Sequence, residues 1–99
     1  MAHVRKRVAA KRDLVEHYVY IAEQAGIEMA ERFLLQADES FHDLAIYPAM
    51  GVALAVRRAE LLGLRKWEVK GFNKFLIFYL PQPDGIAVVR VLYAAQDWW

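Results

Sequence analysis

The sequence predicts an α+β fold: a helical hairpin packed on one face of a largely antiparallel sheet, in the order β-α-α-β-β-β. Three observations predict it. Apolar residues between positions 10 and 45 recur at helical spacing. Two runs rich in β-branched and aromatic residues, 75–80 and 86–93, flank Pro81-Gln-Pro-Asp-Gly85 as a β-hairpin would. Only Gly26 and a few residues around it separate the two helical patterns, so the helices must be antiparallel neighbours with one face to bury.

At the start, Val4–Val8 alternates valine with lysine and arginine and reads as a short strand near a sheet edge. From about Ala9 the period changes. Ala10, Leu14, Tyr18, Ile21 and Ala25 share one helical face, and Gly26 is placed to stop the helix. The second helix stacks Ala30, Phe33, Ala37, Phe41 and Leu44, with Leu34 and Ala45 widening the stripe, and Pro48 ends it. Residues 52–63 favour helix by propensity but lack a clean cap, so a helix and an ordered loop both remain open there. Leu64–Val69 alternates Arg65, Trp67 and Val69 against Lys66 and Glu68, a strand that turns at Lys70-Gly71-Phe72-Asn73.

The run Phe75-Leu-Ile-Phe-Tyr-Leu80 is apolar at every position, which predicts an inner strand buried on both faces. A loop of about five residues then leads into the last strand. Strict alternation there puts Ala87, Val89, Val91 and Tyr93 on one side, and Ile86, Val88, Arg90 and Leu92 on the other. With the first set beneath the helices, Arg90 projects from the uncovered face. It is then either a binding-surface residue or the partner of a carboxylate such as Glu68.

A chain of 99 residues makes one domain, 1–99, able to hide about two-thirds of its unfolded surface. Its apolar fraction of 58% leaves some apolar surface for a partner. With no cysteine, disulfides and thiolate zinc sites are excluded. The longest uncharged stretch, Leu44–Val56, has 13 residues interrupted by Pro48 and Gly51, too short for a membrane span. No apolar run follows the basic start as a signal peptide requires, so a cytoplasmic protein is expected. The net charge of +1 gives no overall drive toward nucleic acid. Locally, Arg5, Lys6, Arg7, Lys11 and Arg12 form a cluster that either guards a sheet edge or meets a phosphate or acidic partner.

Phosphate-cradling glycine loops, His-Glu-x-x-His and G-x-S-x-G are all missing from the sequence. Ser40, the one serine, lies mid-helix, where its hydroxyl bonds a carbonyl one turn back. His3, His17 and His42 fall on separate elements without metal-ligand spacing, so neither a metal nor any other cofactor is expected. Arg65, Arg90 and Tyr93 could hold a phosphodiester if they converged, yet strand parity points Arg90 and Tyr93 to different faces. Adjacent indoles at Trp98 and Trp99 face opposite ways in an extended segment, so one can pack while the other meets a partner.

Taken in order, several segments resemble the RelE/ParE toxin superfamily, on its ParE (plasmid-stabilisation) side. They are Ala10-Lys-Arg-Asp-Leu14, Tyr18-Val-Tyr-Ile-Ala22, Leu62-Gly-Leu-Arg-Lys-Trp-Glu-Val69, Phe75-Leu-Ile-Phe-Tyr79 and Val89-Arg-Val-Leu-Tyr-Ala-Ala-Gln-Asp97. The resemblance implies the toxin of a bacterial type II toxin–antitoxin pair, held off by a cognate antitoxin whose flexible tail wraps around it. ParE-like members poison DNA gyrase; RelE-like members cut messenger RNA on the ribosome. Arg65 and Arg90 match arginines of the family pattern. Tyr93 stands where many ParE-like chains carry histidine, and Gln96 where they carry arginine. The departures favour a non-enzymatic gyrase poison. The alternatives are a ribosome-dependent endoribonuclease using Arg65, Arg90 and Tyr93, or a non-toxic interaction module. Contacts to the antitoxin or target are expected at Arg57, Arg58, Arg65, Arg90, Trp98 and Trp99, with a homodimer or a heterotetramer with antitoxin as possible assemblies.

Overall fold

In the computed structural model, which describes residues 2–94, the element order is β1 (His3–Lys6), α1 (Val8–Ala25), α2 (Ile27–Ile46), β2 (Val52–Ala53), β3 (Arg65–Val69), β4 (Phe72–Gln82) and β5 (Gly85–Tyr93). The predicted contacts at Trp98 and Trp99, and the departure at Gln96, lie outside the described residues. The strands form one sheet in the order β1-β5-β4-β3-β2. Every neighbouring pair is antiparallel except β1 and β5, which run parallel. Among the described residues no helix is long and apolar enough to cross a membrane.

The helical hairpin is as tight as the sequence implied. Gly26 alone links the two helices, and its φ of 97° is a left-handed conformation that glycine adopts without penalty. The inner face of α2 is buried at Ala30, Phe33, Ala37, Phe41, Leu44 and Ala45. Leu34, expected to widen that stripe, is 38% exposed instead. On α1 Ala10 and Ile21 are buried and Leu14 and Tyr18 pack against the core as expected, whereas Ala25 is exposed and Asp13 is buried as well. Ser40 donates to the Gln36 carbonyl as predicted (2.7 Å) and also accepts from the Lys70 amide (2.9 Å).

β4 is the centre of the sheet, and its alternation divides the molecule into two apolar layers. Phe75, Ile77 and Tyr79 pack with the helices. Phe78 and Leu80, with Leu76 beside them, form a second cluster on the opposite face with Leu61, Leu64, Val89 and Leu92. That opposite face was expected to be open. It is covered by residues 54–64, an irregular segment with one 3₁₀ turn at Ala59–Leu61, which presses Leu54, Val56, Leu61 and Leu64 onto it. Helix propensity in 52–63 is overridden because an apolar sheet face lies within reach of its leucines.

Two features of the β4–β5 hairpin differ from expectation. The connection is not a five-residue loop: Gln82 pairs with Gly85, leaving Pro83-Asp84 as a two-residue turn. Pro81 fits inside β4 because the β3 ladder ends at Arg65–Tyr79, so beyond it one side of β4 is an edge. The second difference is a bulge. The register steps from Phe78–Arg90 to Tyr79–Val88, so Val89 is an extra residue. One extra residue reverses the facing of everything on one side of it. Ile86 and Val88 consequently join the helix-side core and Val89 the other layer, the reverse of the predicted alternation, whereas Val91 and Leu92, beyond the bulge, lie on the faces predicted for them.

Candidate functional site

Arg90 stands beside the bulge, paired with Phe78. Its guanidinium turns to the helices and donates to Asp13 from two nitrogens, at 2.7 and 2.8 Å. The same carboxylate accepts the Val91 amide (2.9 Å), and Asp13 is only 4% exposed. One turn along α1, the His17 Nε2 lies 2.7 Å from the Val91 carbonyl. β1 pairs with β5 only as far as Lys6–Val88, after which the Arg7 amide reaches the Val88 carbonyl. Beyond that point Asp13 and His17 satisfy the backbone of β5 in place of a neighbouring strand. Glu68, the carboxylate suggested by the sequence, is not the partner. The bidentate contact with Asp13 raises the Arg90 pKa further above its ordinary value.

Arg65 stands at the other side of the sheet, opposite Tyr79. Its guanidinium donates to the carbonyls of Gly51 (2.5 Å) and Ala49 (3.4 Å). The Tyr79 hydroxyl, fully buried, donates to the Pro48 carbonyl (2.7 Å) and accepts the Gly51 amide (2.9 Å). Burial pushes the Tyr79 phenol above its usual pKa. Together Arg65 and Tyr79 pin the chain that leaves α2 to the sheet.

Arg65 and Arg90 are therefore separated by β4, about 10 Å across two strand spacings. Tyr93 lies on the helix side, as alternation implied for it, and it is Arg90 that departs, reaching Asp13 of α1. It is 39% exposed and packs edge-to-face on Phe75, with ring centroids 5.4 Å apart. Arg57 and Arg58 lie in the segment covering the second apolar layer, both exposed, with Arg58 2.6 Å from the Glu60 carboxylate. Within the basic cluster, Arg5 forms a two-point contact with Asp84 (2.9 and 2.8 Å), and Lys6 lies 5.8 Å from the Phe41 ring centre. Arg7, Lys11 and Arg12 are exposed. His17 and His42 do not meet across the hairpin: His42 lies 2.9 Å from the Asp38 carbonyl of its own helix. Among the described residues no group of three or more potential ligands could hold a metal.

Two surfaces remain shaped for contact. On the outer side of the hairpin, Val15, Val19, Leu34 and Leu35 are 38–72% exposed, and Leu14, Val15, Tyr18, Glu31 and Leu34 line a groove of about 370 Å³ between the helices. Beside the end of β5, Glu16, His17, Tyr20, Phe75 and Tyr93 line a cleft of about 420 Å³. Sequence reasoning missed both. The exposed valines at 15 and 19, one turn apart on α1, were the legible signal for the first.

Residues 4–98 match the family model described as the ParE toxin of the type II toxin–antitoxin system parDE. Among solved structures, one described as a chromosomal ParDE TA system from P. aeruginosa is similar over 94% of this chain and 96% of that one, with a TM-score of 0.74 at 17% sequence identity. No curated protein sequence is significantly similar to the chain.

Proposed function

The chain belongs to the ParE toxin family of type II toxin–antitoxin systems, and from that premise we propose that it is a cytoplasmic, non-enzymatic toxin that poisons DNA gyrase. The observation that carries this reading is the engagement of both family arginines. Arg90 is held by the buried Asp13, and Arg65 by the carbonyls of Ala49 and Gly51. Charges committed to internal partners are poor electrostatic catalysts, since releasing them leaves a buried carboxylate or carbonyl unpaired. The described histidine beside Arg90, His17, is engaged through Nε2 with the Val91 carbonyl. Such a site supports binding and not phosphodiester cleavage.

A cognate antitoxin holds the toxin off, and the outer face of the hairpin suits it. Val15, Val19, Leu34 and Leu35 form an apolar strip along two helices of 18 and 20 residues, the shape an amphipathic helix fills. A stable complex of this kind buries about 1,600 Å² in total. Supercoiling assays with purified gyrase test the proposal. Micromolar toxin is expected to inhibit supercoiling and accumulate cleaved DNA, and the antitoxin to relieve both. Absence of inhibition, together with codon-dependent cleavage of messenger RNA in a translating extract, would replace this reading with the nuclease one.

A further inference from the structure

The cleft beside the end of β5 gathers residue types that recognise a cation. Phe75 meets Tyr93 at 76° and His17 at 72°, with centroids 5.4 and 4.9 Å apart, so nearly perpendicular rings form an inside corner. Tyr20, 59% exposed, adds a further ring, one turn along α1 from Glu16. Aromatic faces are electron-rich and attract a cation held within about 6 Å. Glu16 is exposed and forms no ion pair with a described residue. Arg90 senses its charge, but the Arg90 guanidinium is taken by Asp13. Among the described residues the cleft therefore holds one negative charge against three aromatic rings and an imidazole fixed through Nε2 to the Val91 carbonyl.

We infer that this cleft receives an arginine side chain presented by a protein partner. A guanidinium is planar and weakly hydrated, so it can stack on a tyrosine while its edge donates to a carboxylate. Lysine would satisfy the charge without the stacking. A nucleic acid is the wrong partner, because its phosphates would face Glu16 and, among the described residues, no cation lines the cleft. The exposure of Tyr20 opens the cleft to solvent on the α1 side, which suits a side chain delivered from a partner's surface. The inference is independent of whether gyrase is the target.

The test is an NMR titration of the isotope-labelled chain with N-acetyl-arginine methylamide, against the citrulline analogue, which keeps shape and planarity but lacks charge. Arginine is expected to shift the ring signals of Tyr20 and Tyr93 saturably in the millimolar range, with citrulline several-fold weaker. Glu16→Gln and Tyr20→Leu are each expected to weaken arginine binding about two- to five-fold, the scale of an exposed ion pair or cation–π contact. Both positions are exposed, and the unchanged remainder of the amide spectrum reports that the variants are folded. Equal binding of citrulline, shifts centred elsewhere on the surface, or no saturation by about 50 mM would overturn the assignment.

Discussion

Replacing Asp13 by alanine should detach α1 from the end of the sheet. The carboxylate accepts three bonds, from Arg90 Nε (2.7 Å), a second Arg90 nitrogen (2.8 Å) and the Val91 amide (2.9 Å). Removing one member of a buried pair costs about 3–5 kcal/mol. Here the Arg90 side chain is 28% exposed and can partly rehydrate, which favours the lower end. The orphaned Val91 amide adds to the loss. A loss of about 3–4 kcal/mol is expected, a large share of the roughly 5–15 kcal/mol that stabilises a domain. For a chain of this size it corresponds to a fall in Tm of about 12–30 °C. Urea unfolding followed by circular dichroism measures it, and a double-mutant cycle with Arg90→Ala should return a coupling of about 2 kcal/mol. A loss below about 1 kcal/mol, typical of surface changes, or a coupling near zero would refute the reasoning: α1 would then be held by apolar contact alone.

Three other perturbations follow from the same geometry. Phe78→Ala should cost about 3–5 kcal/mol in chemical denaturation, because Phe78 is 1% exposed at the centre of the second apolar layer. Tyr79→Phe should cost about 1–3 kcal/mol, since it leaves the Pro48 carbonyl and Gly51 amide without the hydroxyl between them, and amide exchange at Gly51 should accelerate. The Asp84 pKa is lowered from 3.8 to about 2, chiefly by the hydrogen bonds from Arg5. A depressed carboxylate contributes stability above its unfolded pKa and loses it as pH falls through the folded one. The stability difference between the parent and Asp84→Asn should therefore be full above about pH 4 and shrink toward pH 2, read by unfolding at a series of pH values.

Local patterns carried most of the architecture. Helical spacing, Gly26 and Pro48 placed both helices, and the uninterrupted apolar run at 75–80 marked a strand covered on both faces. What escaped depended on contacts distant in the chain. Parity along β5 holds only while register is constant, and the bulge at Val89 is set by pairing with Phe78 and Tyr79, invisible in the strand itself. Arg90, a surface candidate by parity, instead pairs with Asp13, 77 positions away in the chain. Asp13 and His17 lie off the apolar stripe expected on α1; the burial of Asp13 and half-burial of His17 go with the β5 backbone that they satisfy. Residues 54–64 have no periodicity of their own, because their leucines follow the contour of the sheet face they cover.

The parallel pairing of β1 with β5 also governs when the molecule can be completed. His3 meets Gly85, and Lys6 meets Val88, across almost the whole length of the chain. During synthesis at about 5–20 residues per second, β1 must wait roughly 4–16 s before residues as far as 88 have been added. The hairpin of α1 and α2 can form in that interval, but the sheet beneath it cannot close. Closing a loop of that length is slow relative to local structure. β1, made before the other strands of this sheet, is thus among the last of them to dock, and the layer supporting Arg90 and Tyr93 is finished only after β5 has been made.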